Sequence, residues 1–418
     1  MQSNEQAITL SQELSPWQRT SRNILLALLG RLNEGGLVIE EPQGNSLQFG
    51  NSQSDLQARI KVLHPDFYPR ILQGGSIGAG ESYVEQLWES PNLTAVIRLF
   101  SRNMALMDSI EARFAWLLKP LKWATQWRQR NTKSQAKKNI GAHYDLGNAL
   151  YERFLDSSMM YSAAIYPTAK ATLAEAQAHK LKVICDKLQL SENDHLLEIG
   201  TGWGSLAIFA AQHYGCKVTT TTISEEQYAY AKERLEALGL SERINLLKQD
   251  YRQLSGQFDK LVSIEMIEAV GKQFLPDFFS QCSKLLKPDG LMLLQSITIS
   301  DQRYDSYKDD LDFIQKHIFP GGFLPSQLVI NQLLKSHTDM NIRDCQDIGL
   351  DYARTLNDWH KALLNNRQSL AEVGYDERFM RLWRFYFCYC EGGFRERVIS
   401  TVQLLFSKPG YRHEIYRC

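Results

Sequence analysis

The chain has little of what marks metal-binding, redox or membrane-spanning proteins. Its seven cysteines (Cys185, Cys216, Cys282, Cys345, Cys388, Cys390 and Cys418) are scattered and odd in number. No Cys-x-x-Cys occurs, which argues against a zinc ribbon or a redox pair, and no metal site is expected. Reduced thiols in a cytoplasm are the expected state. No apolar run approaches the length of a bilayer span. Met1 to Pro16 is polar and holds no signal-peptide core. Net charge is missing too. The 47 Lys and Arg balance 47 Asp and Glu, so global charge selects no partner. Any meeting with a membrane is expected at its surface.

One absence is local. From Ala112 to Tyr144 there is no acidic residue, while Arg113, Lys119, Lys122, Arg128, Arg130, Lys133, Lys137 and Lys138 are basic. Trp116, Trp123 and Trp127 are interleaved, and the last two stand i,i+4 on one helical face. Pro120 suits the first position of a helix. Aromatic anchors beside Lys and Arg describe a segment lying on an anionic bilayer. Each such charge contributes on the order of 1 kcal/mol, lost with salt. A solvated linker whose tryptophans pack on the neighbouring domain is the alternative. Nucleic acid is the other anionic surface, but no recognition motif accompanies the run.

What is present suits two or three domains: 418 residues with 44% hydrophobic content. Residues 1–115 read as a small α+β unit. Trp17 to Leu32 is an expected helix. Leu37 to Ile39, Leu47 to Phe49 and Ala58 to Val62 are expected strands. Phe67 to Leu72 leads into the glycine-rich Gly74 to Ser82, and helices are expected at Tyr83 to Trp88 and Leu93 to Leu118. Residues 116–142 are the basic linker, and 143–418 the second domain. There, from residue 173, helix and strand alternate. The expected strands are His195 to Ile199, Lys217 to Thr222, Ile244 to Leu247, Leu261 to Ile264 and Leu291 to Ile299. Such alternation means a parallel sheet covered on both faces, with ligands at the carboxyl ends of its strands.

The first of these strands ends in Glu198-Ile199-Gly200-Thr201-Gly202-Trp203-Gly204, followed at once by a helical pattern. Glycines there let the backbone approach a ligand closely. The loop lacks the Gly-Lys-Ser/Thr ending of a phosphate cradle. Glu198 inside the strand suits a small cationic nucleoside such as S-adenosylmethionine better than a dinucleotide. After the second strand, Thr222 and Gln227 offer a hydroxyl and an amide for a ribose. After the third, Asp250 and Tyr251 offer an acid and a ring for an adenine. Ser224 reads as a helix N-cap, with Gln227 completing a capping box.

Together with His143-Tyr144-Asp145-Leu146-Gly147-Asn148, Met160-Tyr161-Ser162 and Phe319-Pro320-Gly321-Gly322, these motifs resemble the cyclopropane fatty acyl phospholipid synthases. The resemblance covers nearly the whole chain. It implies a Rossmann-like class I methyltransferase with a doubly wound, mostly parallel sheet, preceded by a lipid-binding N-terminal domain. It implies that Tyr161, Ser162, Gly200, Gly202, Gly204, Thr222, Gln227, Asp250 and Tyr251 hold S-adenosylmethionine. The implied reaction adds a methyl group to the cis double bond of a phospholipid acyl chain and then closes a cyclopropane. The implied location is cytoplasmic, peripheral to the inner face of an anionic membrane, and a homodimer is the one further partner admitted.

An isolated alkene is a poor nucleophile, so the donor must be held in line with it in a dry cavity. Methyl addition leaves a cation, which aromatic faces stabilise. Tyr304, Phe313, Phe319, Phe323, Tyr352, Trp383, Phe385, Tyr386 and Phe387 supply rings, most of them expected as core or lipid-pocket wall. Proton loss needs a base, and a carboxylate close to the cation risks alkylation. The resemblance implies a bound bicarbonate ion, held by Ala163, Glu268, Gln295, Ile297 and Tyr352. Here the sequence departs from its relatives: Ala163 stands where they carry Cys, Gln295 where they carry His, and Glu268-Ala269 where they carry Glu-His. The departures question ring closure more than methyl transfer, and a methyl-branched product is the alternative. Glu265 and Glu268 stand i,i+3, where one helical turn presents both, and Glu265 reads as a helix-start carboxylate favoured by the macrodipole. A lipid-binding scaffold with a decayed site and a small-molecule methyltransferase are the competing readings. The glycine loop opposes the first, and the basic connector opposes the second.

Overall fold

A computed structural model describes residues 14–106, 108, 135 and 147–415. The chain divides into two units, Met1–Pro120 and Leu121–Cys418, each taken by itself below. The tryptophans of the basic connector and the motif residues His143 to Leu146 lie outside the described residues.

In the first unit, helix α1 (Pro16–Leu29) starts at Ser15, which exchanges hydrogen bonds with Gln18, and Pro16 opens its first turn. Strands β1 (Gly36–Glu40), β2 (Ser46–Gly50), β3 (Gln57–Val62) and β4 (Trp88–Glu89) form a sheet of order β2-β1-β3-β4. Every second residue of β3 is buried, so Ala58, Ile60 and Val62 face the core. Helix α2 (Phe67–Val84) absorbs the glycine-rich stretch and bends at Gly75, where φ is 54° and ψ −132°. That backbone is open to glycine and costly for other residues.

The expected helix at Tyr83 to Trp88 does not form. The chain leaves α2 through Gln86 (φ 61°), and Trp88 pairs with Val62 as a strand. The buried Trp88 indole donates to Ala79 O and Ser82 Oγ, so tertiary packing overrides the local pattern. Helix α3 (Leu93–Arg102) ends at Asn103, whose side-chain amide donates to the carbonyls of Glu34 and Leu99; helix resumes at 104–106, and most of the expected span beyond lies outside the described residues. Arg22 grips Glu41 through two bonds of 2.6 and 2.8 Å, and the Tyr68 hydroxyl donates to the same carboxylate. Burial alone would raise the Glu41 pKa; these partners hold it below its usual value.

In the second unit, helices α4 (Asn148–Tyr151) and α5 (Leu173–Lys187) precede strand β5 (His195–Ile199). Then come α6 (Ser205–Tyr214), β6 (Lys217–Thr222), α7 (Glu225–Ala237), β7 (Ile244–Lys248), β8 (Phe258–Ile264), α8 (Leu275–Leu285) and β9 (Leu286–Ile299). Helices α9 (Asp301–Tyr307), α10 (Phe313–His317), α11 (Gln327–His337), α12 (Gly349–Asn365), α13 (Arg367–Glu372) and α14 (Glu377–Arg395) follow β9. Strand β10 (Asn341–Asp347) lies between α11 and α12, and β11 (Ile399–Ser407) follows α14.

The sheet order is β10-β11-β9-β8-β5-β6-β7. β7, β6, β5, β8 and β9 run parallel, and β11 and β10 add an antiparallel flank. Leu196 and Leu197, adjacent in β5, enter different apolar clusters. Leu196 packs with α5 and α6, Leu197 with α8 and α11. That is the period of two in a strand buried on both faces. Strand order reverses at β5, with β6 on one side and β8 on the other. The crevice beyond their carboxyl ends is where such sheets take ligands. Strands β10 and β11 were not among the expected elements. Among the described residues, no helix is long and apolar enough to cross a membrane.

Candidate functional site

The loop after β5 folds as its glycines require. Gly200, Gly202 and Gly204 have φ of 106°, 53° and 90°. A Cβ at Gly200 would stand 3.2 Å from Met266, whereas one at Gly202 would meet nothing within 4 Å. Gly202 therefore faces open space, and no side chain plugs it. Gly200 and Thr201 donate to Thr221 O, both at 3.0 Å. The Trp203 indole donates to Asn148 Oδ1 at 2.8 Å, and Arg234 donates to Trp203 O at 2.9 Å. The loop is thus tied to β6, α4 and α7.

Beside it lies a cavity of about 1150 Å³, counted out to its open mouth. Tyr161, Ser162, Gly200, Gly202, Thr222, Gln227, Asp250 and Tyr251 all line it. Gly204 does not; it is the N-cap of α6 and serves the turn. The Ser224 hydroxyl accepts from the Gln227 backbone N–H at 3.2 Å, as expected. The reciprocal half of the capping box is absent, because Gln227 Oε1 accepts from Thr222 Oγ1 at 2.9 Å. That bond joins the two groups read as ribose partners. Asp250 is gripped by Arg252 through bonds of 2.8 and 2.6 Å. The Tyr251 ring stands edge-on to Phe278, and its hydroxyl is buried without a hydrogen-bond partner. Glu198 accepts from Thr220, which in turn contacts Thr201. Burial pushes its pKa up to about 8, with the Thr220 bond pulling the other way. An open glycine turn, an orphaned hydroxyl and carboxyls in the wall fit a cationic nucleoside.

A second cluster adjoins the cavity. Glu265 follows β8 with φ of 49°, a left-handed backbone rare for a residue with a side chain. Its N–H donates to Gln295 O at 2.8 Å. Its Oε1 accepts from the Ala163 N–H at 2.9 Å and from Gln295 Nε2 at 2.8 Å. Tyr352 lies within electrostatic reach of the same carboxyl. Gln295 is saturated, since its Oε1 accepts from Gln403 at 3.0 Å and its Nε2 also reaches Ala163 O. Glu265 is therefore no helix-start carboxylate, and the 3-10 turn Ile267–Ala269 begins beyond it.

Nor do Glu265 and Glu268 share a helical turn. Glu265 lines the cavity and Glu268 does not. Glu268 turns to β9, where its Oε1 accepts from the Ile297 N–H (2.6 Å) and Ser296 Oγ (3.0 Å). Its Oε2 is shut from solvent without a partner. Burial, then the Glu265 charge, pushes its pKa up to about 8. Burial also raises Glu265, against the pull of Gln295, Ala163, Lys180 and Tyr352.

Sequence reasoning missed Lys180. It is buried, and its Nζ donates to Ser162 Oγ at 2.7 Å. Burial lowers its pKa, and the charge of Glu265 opposes that. The signal was available: Ala176, Lys180 and Ile184 recur at i,i+4 on the buried face of α5.

The expected ring set splits. Phe319, Trp383, Tyr386 and Phe387 join Tyr151, Phe154 and Trp359 around Tyr161, whose hydroxyl meets that of Tyr386 at 3.0 Å. Tyr304 and Phe323 pair elsewhere, as do Phe313 and Phe385. Tyr352 lies against Phe394 and Trp359.

Residues 131–404 match the model of the mycolic acid cyclopropane synthetase family. The chain belongs to this family. It is 39% identical over 353 residues to the cyclopropane-fatty-acyl-phospholipid synthase of Escherichia coli, covering 84% of this chain and 88% of that one. It is 37% identical over 368 residues to the tuberculostearic acid methyltransferase UfaA1 of Mycobacterium tuberculosis, covering 85% of each. Its fold matches the mycolic acid cyclopropane synthase CmaA1, solved with SAH and CTAB, at a TM-score of 0.60 and 29% identity. That match covers 65% of this chain and 98% of the solved one. The protein is an S-adenosylmethionine-dependent methyltransferase of a lipid-modifying family, built on the class I methyltransferase fold.

Proposed function

We propose that the protein transfers a methyl(ene) group from S-adenosylmethionine to the cis double bond of an unsaturated phospholipid acyl chain, forming a cyclopropane. The observation that carries this reading is a shared wall: the cavity beside Gly202 is also lined by Glu265. Bound S-adenosylmethionine supplies an electrophilic methyl group. The chain's residues do the rest. Gly200 and Gly202 keep the loop clear of side chains, and Tyr161 and Ser162 line the same cavity. Thr222 and Gln227 present a paired hydroxyl and amide to a ribose, and Asp250 and Tyr251 present an acid and a ring to an adenine. The rings around Tyr161 exclude water and offer π faces to a developing cation. Glu268 acts from behind, fixing the Ile297 backbone.

The lipid is reached from an anionic membrane surface on the inner face, with residues 116–142 as the contact and residues 1–115 as a lipid-binding domain. A second reading, methyl branching without ring closure, is favoured by Ala163 and Gln295 and by the likeness to a tuberculostearic acid methyltransferase. Incubation with labelled S-adenosylmethionine and unsaturated phospholipid vesicles tests both. Label in a cyclopropane, identified by mass and fragmentation, supports the first reading, and label in a branched chain the second. No label in lipid sinks both.

A further inference from the structure

We infer that the Glu265 carboxylate is this chain's own proton acceptor, seated on the donors that would otherwise hold a free bicarbonate ion. The inference rests on the methyl-transfer reading above and names its base. Of the five residues implied to hold the ion, Ala163 and Gln295 give their N–H groups to Glu265, and Tyr352 lies within electrostatic reach of it. The Ile297 N–H goes to Glu268. The Ala163, Gln295 and Ile297 donors are thus taken by carboxyls of the chain, and an added anion would face the Glu265 carboxylate, which like charge opposes. The residues present therefore do not fit bicarbonate; they fit a carboxylate that is already covalently in place.

Three further observations agree. Glu265 lines the cavity, whereas Glu268, with its unpartnered oxygen, does not. Lys180 lies within electrostatic reach and favours the ionised form. The left-handed backbone at Glu265 costs on the order of 1 kcal/mol for a residue bearing a Cβ, and such strain persists where surrounding contacts over-determine it. The proton step balances. A C–H bond of the added methyl group breaks, its electron pair forms the closing bond to the cationic ring carbon, and the proton passes to Glu265. Glu265 releases it to water before the next turnover. The hydrogen bonds on the carboxylate lower its tendency to be alkylated while still permitting protonation.

The test uses the full chain, Glu265→Gln and Glu265→Gly, each in carbon-dioxide-free buffer and with millimolar bicarbonate. Wild-type turnover is expected to change less than about twofold when bicarbonate is removed. Both variants are expected to lose turnover by about 10²-fold or more, with S-adenosylhomocysteine affinity by calorimetry within a few-fold of wild type. Bicarbonate is expected to restore turnover to Glu265→Gly, which opens the seat, and not to Glu265→Gln, which fills it. Carbon-13 line broadening of labelled bicarbonate is expected with Glu265→Gly and absent with wild type; this readout needs no turnover. Wild-type dependence on bicarbonate, full activity of Glu265→Gln, or a folded Glu265→Gly that neither binds bicarbonate nor responds to it would each overturn the inference. A wild type that modifies no lipid but shows the expected bicarbonate-binding pattern would instead sink the proposed reaction and leave the seat intact.

Discussion

Glu268 ties the site to stability through pH. Its folded-state pKa of about 8 lies above the ordinary value of 4.5. Between those limits the folded protein keeps a proton that the unfolded chain has lost, so stability is highest at low pH and falls as pH rises toward 8. Each pH unit crossed between the two values removes about 1.4 kcal/mol at most. Denaturant titrations at pH 5.5 and 8.5 are expected to show wild type losing a few kcal/mol over that range. Glu268→Gln should lose less, with Glu198 supplying part of the remaining slope. A variant whose slope equals that of wild type would contradict the burial argument. Gly202 gives a second expectation. Alanine there must hold a φ of 53°, at roughly 1 kcal/mol, and its methyl enters the cavity. S-adenosylhomocysteine affinity should fall about tenfold by calorimetry, while stability shifts by about 1 kcal/mol. Unchanged affinity would remove Gly202 from the binding wall. At this scale the sequence was legible where a residue type has one physical use. Gly200 and Gly202 are open in φ, and Thr222 and Gln227 are polar at a strand end. Glu265 was not legible, because two carboxylates i,i+3 look alike whether a helix or a left-handed turn follows the strand. Lys180 could have been read from its place on the buried face of α5.

Among the elements, the cap of α7 serves two ends. Ser224 satisfies the Gln227 N–H, and Gln227 in turn accepts from Thr222 in the cavity wall. Ser224→Ala is expected to cost about 1 kcal/mol in urea unfolding, and Ser224→Gly only a few tenths. The alanine variant should also weaken S-adenosylhomocysteine binding. Loss of stability with undiminished binding would separate the cap from the site. The strands were readable because apolar runs end in Gly, Asn or Ser, and β5 and β6 fall within their expected bounds. Tyr83 to Trp88 misled because its apolar spacing suits a helix, while the Trp88 indole finds its acceptors only once α2 is folded beneath it. Asn103 interrupts the helical run through a partner, Glu34, that is 69 residues away.

For the whole molecule, binding and stability are linked. A ligand at about 100 times its Kd adds about 2.7 kcal/mol to the unfolding free energy of the unit that holds it. S-adenosylhomocysteine at that excess is expected to raise the melting temperature of the wild type, and less so that of Gly202→Ala at the same concentration. No shift for wild type would contradict the cofactor cavity. The alternation of helix and strand made the parallel sheet legible from the sequence. The antiparallel flank was not, because β10 and β11 are separated by 51 residues, most of them helical, and their pairing is a long-range choice.

That flank has a consequence for biosynthesis. Strand β11 sits between β9 and β10, and its Gln403 holds the amide that bonds Glu265. While the ribosome is still making the last helix, β9 presents a bare, apolar edge of nine unpaired positions, from Leu291 to Ile299. Such an edge is the kind of surface on which nascent chains stick to one another or recruit a chaperone. The floor beneath Glu265 is thus assembled last, and a ribosome that stalls before residue 399 releases a polypeptide with most of its mass and without the strand that braces Gln295.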